Sequence, residues 1–213
     1  MPAVKKSAKA KAKRVAKKTV RRPAVKKVVA PKAPPERPGA VIMSGKPATV
    51  IGEEVKVGER APHFKALVGS WPGLDLWAEV DPLELTQGKV RVLAAVPSLD
   101  TSVCDLETRR FNAEAVNLGE AVQIVTISAD LPVAQKRWCG AAGVERVGVV
   151  SDHIANEFGI KYGALIKERR WLRRAVFVVD RDDVLRYVAY MPKTGDHPDY
   201  EGVLAAVRQL VAA

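Results

Sequence analysis

From residue 90 onward, short continuous apolar runs alternate with longer segments whose apolar positions recur every three or four residues. The runs at 90–96, 122–127 and 147–150 predict buried strands. Between them, 101–118 carries apolar residues at Val103, Leu106, Phe111, Ala115 and Leu118 and predicts a helix, as do 132–142 and, more briefly, 153–158. Gly119, Gly143 and Gly159 follow these three segments, where a helix commonly stops. The spans 174–179 and 184–190 predict a hairpin across 180–183, and 198–211 predicts a closing helix. Upstream, 47–51 and 54–57 predict a small hairpin turning at Gly52-Glu53, and 57–64 reads as a turn into an extended segment. The span 69–88, with Trp71, Pro72, Trp77 and Pro82, reads as a partly packed loop with a short strand. Strands alternating with helices and closing on a hairpin predict an α/β core with mostly parallel central strands.

Charge divides the chain differently. Residues 1–40 hold 14 Lys plus Arg against one Glu, a net +13, whereas 41–213 hold 21 basic and 23 acidic residues, a net −2. This tail has no aromatic residue, Leu or Ile, so it cannot bury enough apolar surface to offset the entropy of ordering it and is expected to be disordered. In composition it resembles the tails of histone H1-like and bacterial nucleoid proteins. That implies sequence-independent, salt-sensitive binding of nucleic acid or another polyanion; a solubilising arm without a partner is the plainer reading. A transit peptide fits less well, since Lys exceeds Arg and prolines interrupt any helix. No signal-peptide core and no run of about 18 apolar residues is present, so no membrane association is expected and the localisation read from the sequence is cytoplasmic. The domains are therefore a tail, 1–40, and one globular domain, 41–213.

The candidate chemistry sits where the first long strand meets the first long helix. Cys104 falls in the opening turn of helix 101–118, where unpaired N–H groups and the helix dipole favour an anion; a thiol reacts as its thiolate. Ser102-x-x-Asp105 has the form of a capping box, while Asp105 and Glu107 oppose a negative charge nearby. Free cysteine is more often a small buried hydrophobe. The second cysteine, Cys139, lies 35 positions on, with Lys136 and Arg137 beside it to favour its thiolate. There is no Cys-x-x-Cys and no His at metal-ligand spacing, so a structural metal is not expected.

Pro97-x-x-x-Thr101-x-x-Cys104 resembles the peroxiredoxin active-site pattern. The longer runs at 96–112, Thr126-Ile-Ser-Ala-Asp-Leu-Pro-Val-Ala-Gln-Lys-Arg-Trp-Cys139, Ser151-Asp-His153, Lys161-Tyr-Gly163 and Arg174-Ala-Val-Phe-Val178 resemble the bacterial thiol peroxidases, the atypical 2-Cys peroxiredoxins. The resemblance covers 44–212 and implies a thioredoxin-like α/β fold with an N-terminal β-hairpin. It implies a peroxidatic Cys104, a resolving Cys139, Pro97 shielding the site, Thr101 offering its hydroxyl, and Arg174 supplying positive charge. Thioredoxin as reductant, a peroxide substrate and a homodimer are implied with it, and no cofactor. Arg173 competes with Arg174, and on a strand only one of two neighbours faces the pocket. Ser102 departs from the family's usual Pro. Because the cysteines lie on different predicted helices, a disulfide requires rearrangement of both helix ends. The alternative function is a nucleic-acid-associated redox sensor or nucleoid protein anchored by the tail.

Overall fold

The computed structural model describes residues 33–212; the rest of the tail expected from the sequence lies outside them. Eleven strands and five helices follow one another in this part: β1 (Glu36–Met43), β2 (Lys46–Ile51), β3 (Ala66–Ser70), β4 (Glu79–Val80), α1 (Pro82–Leu85), β5 (Val90–Ala95), α2 (Ser102–Leu118), β6 (Val122–Ser128), α3 (Pro132–Ala142), β7 (Gly148–Ser151), α4 (Glu157–Lys161), β8 (Leu165–Ile166), β9 (Trp171–Leu172), β10 (Ala175–Val179), β11 (Leu185–Tyr190) and α5 (Tyr200–Ala212). The main sheet runs β11-β10-β5-β6-β7-β3-β4. Only the central β5-β6 and β6-β7 pairs are parallel; β10 joins β5 antiparallel, as does β3 joining β7. The resulting mixed α/β architecture is thioredoxin-like. Among the described residues no helix is long and apolar enough to cross a membrane.

The alternation of side chains along each strand splits the interior in two. Val92 and Ala94 of β5, Ile124 of β6 and Val176 and Val178 of β10 face the layer that contains Phe111 of α2, Trp138 of α3 and Val203 of α5. Leu93 and Ala95, Val125 and Ile127, and Ala175 and Phe177 face the opposite side, where Phe64, Phe158 and Tyr162 pack as an aromatic cluster. Burying Phe111 alone is worth about 2 kcal/mol, enough to fix which face of α2 turns inward. That face is Cys104, Glu107, Thr108 and Phe111. The apolar stripe read from the sequence differs, since Leu106 is exposed and Val103 half-buried.

Several local expectations are corrected. The N-terminal hairpin is present, but it pairs β1 with β2 around Ser44-Gly45, both in the left-handed region, and 54–57 is not a strand. Strand β1 begins at Glu36, inside the span 1–40 read as the tail. Gly52, at φ 96°, makes no hairpin turn; a Cβ there would lie 2.0 Å from the Ile160 carbonyl oxygen, so glycine lets this strand end lie on α4. The short helix expected over 153–158 is α4, four residues later. Asn156 takes the left-handed conformation, and the Asp152 carboxylate accepts from the amides of Phe158 and Gly159, so the helix begins where those amides are held. Gly159 consequently lies inside α4 rather than after it. The capping box is also not formed: Thr101 occupies the N-cap position and its side chain makes no cap bond.

A smaller sheet, β1-β2-β8-β9, lies beside the main one. The Ile42 amide donates to the Pro192 carbonyl and the Thr194 amide to the Ile42 carbonyl, tying the hairpin to the loop after β11. These contacts bring Ser44 and Thr194 beside the start of α2, where they share a cleft.

Candidate active site

Strand β5 ends on the apolar floor of the sheet and Pro97 turns the chain, having no N–H to continue the ladder. The turn closes with Thr101 donating its amide to the Ser98 carbonyl at 3.1 Å, and α2 then starts at Ser102. Cys104 is the third helical residue, within the turn whose N–H groups lack intrahelical partners. It is 0 % exposed. Thr101 Oγ1 lies 2.8 Å from Cys104 Sγ and 3.0 Å from the Ser98 carbonyl. The hydroxyl has one proton, so it can accept from an S–H while donating to Ser98, or donate to a thiolate. This explains why Thr101 does not cap the helix: its side chain is committed to sulfur.

The second contact comes from across the sheet. Arg174 precedes β10, whose antiparallel pairing with β5 places Ala175 opposite Ala95. Its Nη2 donates to Cys104 Sγ at 3.2 Å and to the Thr194 carbonyl at 3.3 Å, and its Nη1 donates to Glu107 Oε2. Arg173 turns the opposite way, to the Met191 carbonyl and Glu54. The alternation of neighbouring side chains separates the two arginines as the sequence pattern required.

Glu107, read from the sequence only as a nearby negative charge, is a member of the site. It is 0 % exposed, one helical turn beyond Cys104, and its Oε1 has no hydrogen-bond partner. Burial raises its carboxyl pKa to about 7, against the opposing pull of Arg174. Arg174, whose pKa burial alone would lower, is instead raised by Glu107 and Cys104. Asp105 points away and pairs with Arg109 at 2.9 Å. The spacing Cys104, Glu107, Thr108, Phe111 is the helical signal that could have placed Glu107 inward.

Pro97, Thr101, Ser102, Trp171, Arg174 and Thr194 line a cleft of about 200 Å³ at this point. Trp171, Ser44 and Thr194 come from segments outside the motif. A small molecule entering the cleft meets Thr101 and Arg174, the two groups that contact the sulfur.

Cys139 is elsewhere. It lies in the last half of α3 and is 2 % exposed. Burial pushes its thiol pKa up to about 11, with a hydrogen bond from Ser70 offsetting part of the effect. The expectation that Lys136 and Arg137 favour a Cys139 thiolate is therefore corrected. Both residues are exposed, and Arg137 lies 3.9 Å from Asp100. Both cysteines are free and buried. The histidines have structural partners: His63 with Asp81, His153 with Ser151, and His197 with Tyr200.

Residues 56–204 match the Redoxin family model. The chain is 52% identical over 165 residues to the thiol peroxidase of Oceanobacillus iheyensis, covering 78% of this chain and 96% of that one. It is 45% identical over 171 residues to the thiol peroxidase of Bacillus subtilis, covering 80% and 98%. Among solved structures, a peroxiredoxin-like protein from Aquifex aeolicus superposes with TM-score 0.70 at 35% identity, covering 81% of this chain and 97% of that one.

Proposed function

Because this chain belongs to the redoxin family and is a thiol peroxidase, we propose that Cys104 is its peroxidatic cysteine and Cys139 its resolving one. The observation that carries the reading is the pair of donors on one sulfur, Thr101 Oγ1 at 2.8 Å and Arg174 Nη2 at 3.2 Å, beside a cleft. The Cys104 thiolate attacks one oxygen of a hydroperoxide. An S–O bond forms, the O–O bond breaks, and the other oxygen leaves as water or an alcohol with the hydroperoxide proton. Negative charge moves from sulfur to the leaving oxygen during this step, and a guanidinium stabilises it at both ends without a proton transfer of its own. Thr101 follows the sulfur by rotating one hydroxyl proton. Pro97 walls the cleft and limits water at the reacting atoms.

The Cys104 sulfenate left by that step takes a proton from solvent, and the sulfenic acid condenses with the Cys139 thiol; the S–S bond forms, the S–O bond breaks and the oxygen leaves as water. Both thiols are buried on separate helices, so this step requires local opening of the start of α2 and the end of α3. The external reductant is a dithiol protein of the thioredoxin type, which takes up the disulfide by exchange. The substrates are hydrogen peroxide and alkyl hydroperoxides, and the working state is a cytoplasmic homodimer. The test compares peroxide consumption by Cys104→Ser and Cys139→Ser. The first should be inactive, whereas the second should consume about one equivalent and stall with thioredoxin. Full turnover by Cys104→Ser overturns the assignment.

The charge asymmetry of the sequence favours a second activity. We propose that the basic N-terminal segment attaches the enzyme to polyanions, nucleic acid on the nucleoid being the one most available. Truncation after Lys32 spares β1. It should abolish salt-sensitive retention on DNA and leave peroxidase turnover unchanged; equal retention of the truncated chain refutes it.

A further inference from the structure

Asp130 lies in the turn between β6 and α3 and touches neither cysteine. Its Oδ2 accepts from the Leu99 amide at 2.9 Å and from Ser128 Oγ at 2.8 Å. Leu99 sits midway between Pro97 and Thr101, so this one oxygen holds the backbone of the turn that aims Thr101 at the sulfur. Its backbone carbonyl accepts from Ser151 Oγ at 2.5 Å, joining the end of β7 to the same point.

The chain of bonds continues into α3. Ser128 Oγ accepts from Gln135 Nε2 at 2.9 Å, and the same amide nitrogen donates to the Val150 carbonyl at 2.9 Å. Gln135 is fully buried and lies one helical turn before Cys139 on the same face. It is seated against Gly69, where an added Cβ would stand 2.1 Å from Gln135 Oε1 and 2.6 Å from its Cβ. The reactive turn and the helix carrying Cys139 thus hang from one bracket, Asp130–Ser128–Gln135, at the carboxyl ends of the parallel strands.

We infer that Asp130 and Gln135 are positioning residues for two different steps of the cycle. Asp130 sets the geometry of the peroxide reaction through the Leu99 amide and Thr101. Gln135 holds α3 folded, so that Cys139 stays withheld from Cys104 until the helix opens. The inference rests on the roles given to Cys104 and Cys139 above.

The reduced full chain is mixed with hydrogen peroxide, and intrinsic tryptophan fluorescence, with Trp171 lining the cleft and Trp138 next to Cys139, is followed together with thiol mapping. The wild type should show a peroxide-dependent phase, Cys104 oxidation, and then a peroxide-independent phase, disulfide closure. Asp130→Ala should slow the first phase about tenfold and leave closure unchanged, since a small displacement of a positioned group costs this much or more. Asp130→Asn should recover the wild-type rate, because its amide oxygen can accept both bonds. Should the alanine variant not fold, Asp130→Glu, one methylene too long, gives the same reading. Gln135→Ala should leave the first phase unchanged and speed closure severalfold, by lowering the free energy of opening α3. A first phase of wild-type speed in Asp130→Ala, equal slowing of both phases, or closure in Gln135→Ala at or below the wild-type rate overturns the inference. If Cys104→Ser still shows both phases, the cysteine assignment fails instead, and the two failures are distinguished.

Discussion

The two cysteines occupy the same layer of the molecule, between the helices and the main sheet, yet their surroundings are opposite in kind. Cys104 sits at the start of its helix with a hydroxyl and a guanidinium on its sulfur. Cys139 sits near the end of its helix, and burial holds its thiol pKa at about 11. Burial alone does not separate them, for both are enclosed. What differs is whether a compensating charge was enclosed as well, because a buried anion is tolerated only beside a partner. A site that reacts where it stands needs such a partner. A thiol that must travel before it reacts needs only to stay protonated until it moves.

The sharpest way to break this contrast is to remove the guanidinium. Arg174→Met should lower the second-order rate of Cys104 with peroxide about a hundred- to a thousandfold, the usual effect of losing one oriented donor to a developing charge. Stopped-flow measurement on the Cys139→Ser background isolates that step. Arg174→Lys should recover only part of the loss, because an ammonium cannot reach Cys104, Glu107 and the Thr194 carbonyl together. Thr101→Val comes next. It keeps the shape and removes one hydrogen bond to a charged sulfur, so a loss of about ten- to a hundredfold is expected in the same assay. A Thr101→Val enzyme of wild-type rate would show that Arg174 suffices.

Much of this arrangement was legible in the sequence, and what was missed has identifiable physical causes. The run β5-α2-β6-α3-β7 is marked by a switch between continuous apolar runs and helical spacing, with Gly119 and Gly143 as stops, and both glycines do take positive φ. Cys104, Thr101 and Arg174 stand out because a motif and a strand alternation are local patterns. The hairpin was misplaced because β1 begins within a charged, proline-containing stretch, so its pairing with β2 was hidden by composition. The start of α4 was misplaced because the Asp152 side chain, five residues before the helix, decides which amides are satisfied. Glu107 was read by charge alone because the arginine that accounts for it lies 67 residues away. At α4 and at Glu107 a side-chain contact overrides the local signal, near in sequence in the first case and 67 residues away in the second, whereas at the hairpin composition hides a backbone pairing.

Glu107 supplies a test of intermediate size. Its carboxyl pKa, about 7 in the folded chain, exceeds the unfolded value of about 4.3. The folded state therefore binds this proton more tightly. The stability it contributes is complete below the unfolded value and is lost as pH rises through the folded one. Denaturant midpoints should fall between about pH 5 and about pH 8, and Glu107→Gln should flatten that part of the profile. Retention of the full slope in Glu107→Gln would place the titrating group elsewhere, and Asp152, raised to about 6 by burial, is then the next carboxyl to replace.

The smallest expected effect is the most discriminating for the placement of charge. Arg173 is as firmly held as its neighbour: it donates to the Met191 carbonyl at 2.9 Å, pairs with Glu54 at 2.8 Å, and lies 5.1 Å from the Tyr190 ring centre. It leaves the chain on the side opposite Arg174, and its acidic partner is solvent-exposed where that of Arg174 is buried. Glu54 is 41 % exposed, so solvent screens the pair, and the stem packing on Tyr190 contributes most of what the residue adds. Arg173→Ala should cost about 1 kcal/mol of stability in thermal melts, in line with a part-buried ion pair screened at its Glu54 end and a buried stem. The peroxide rate should stay within about twofold of wild type, since a screened charge on the far face contributes little at the sulfur. A rate loss approaching that of Arg174→Met would mean that net positive charge near the strand, rather than contact with the sulfur, drives the reaction, and the contrast between the two cysteines would then lose its electrostatic basis.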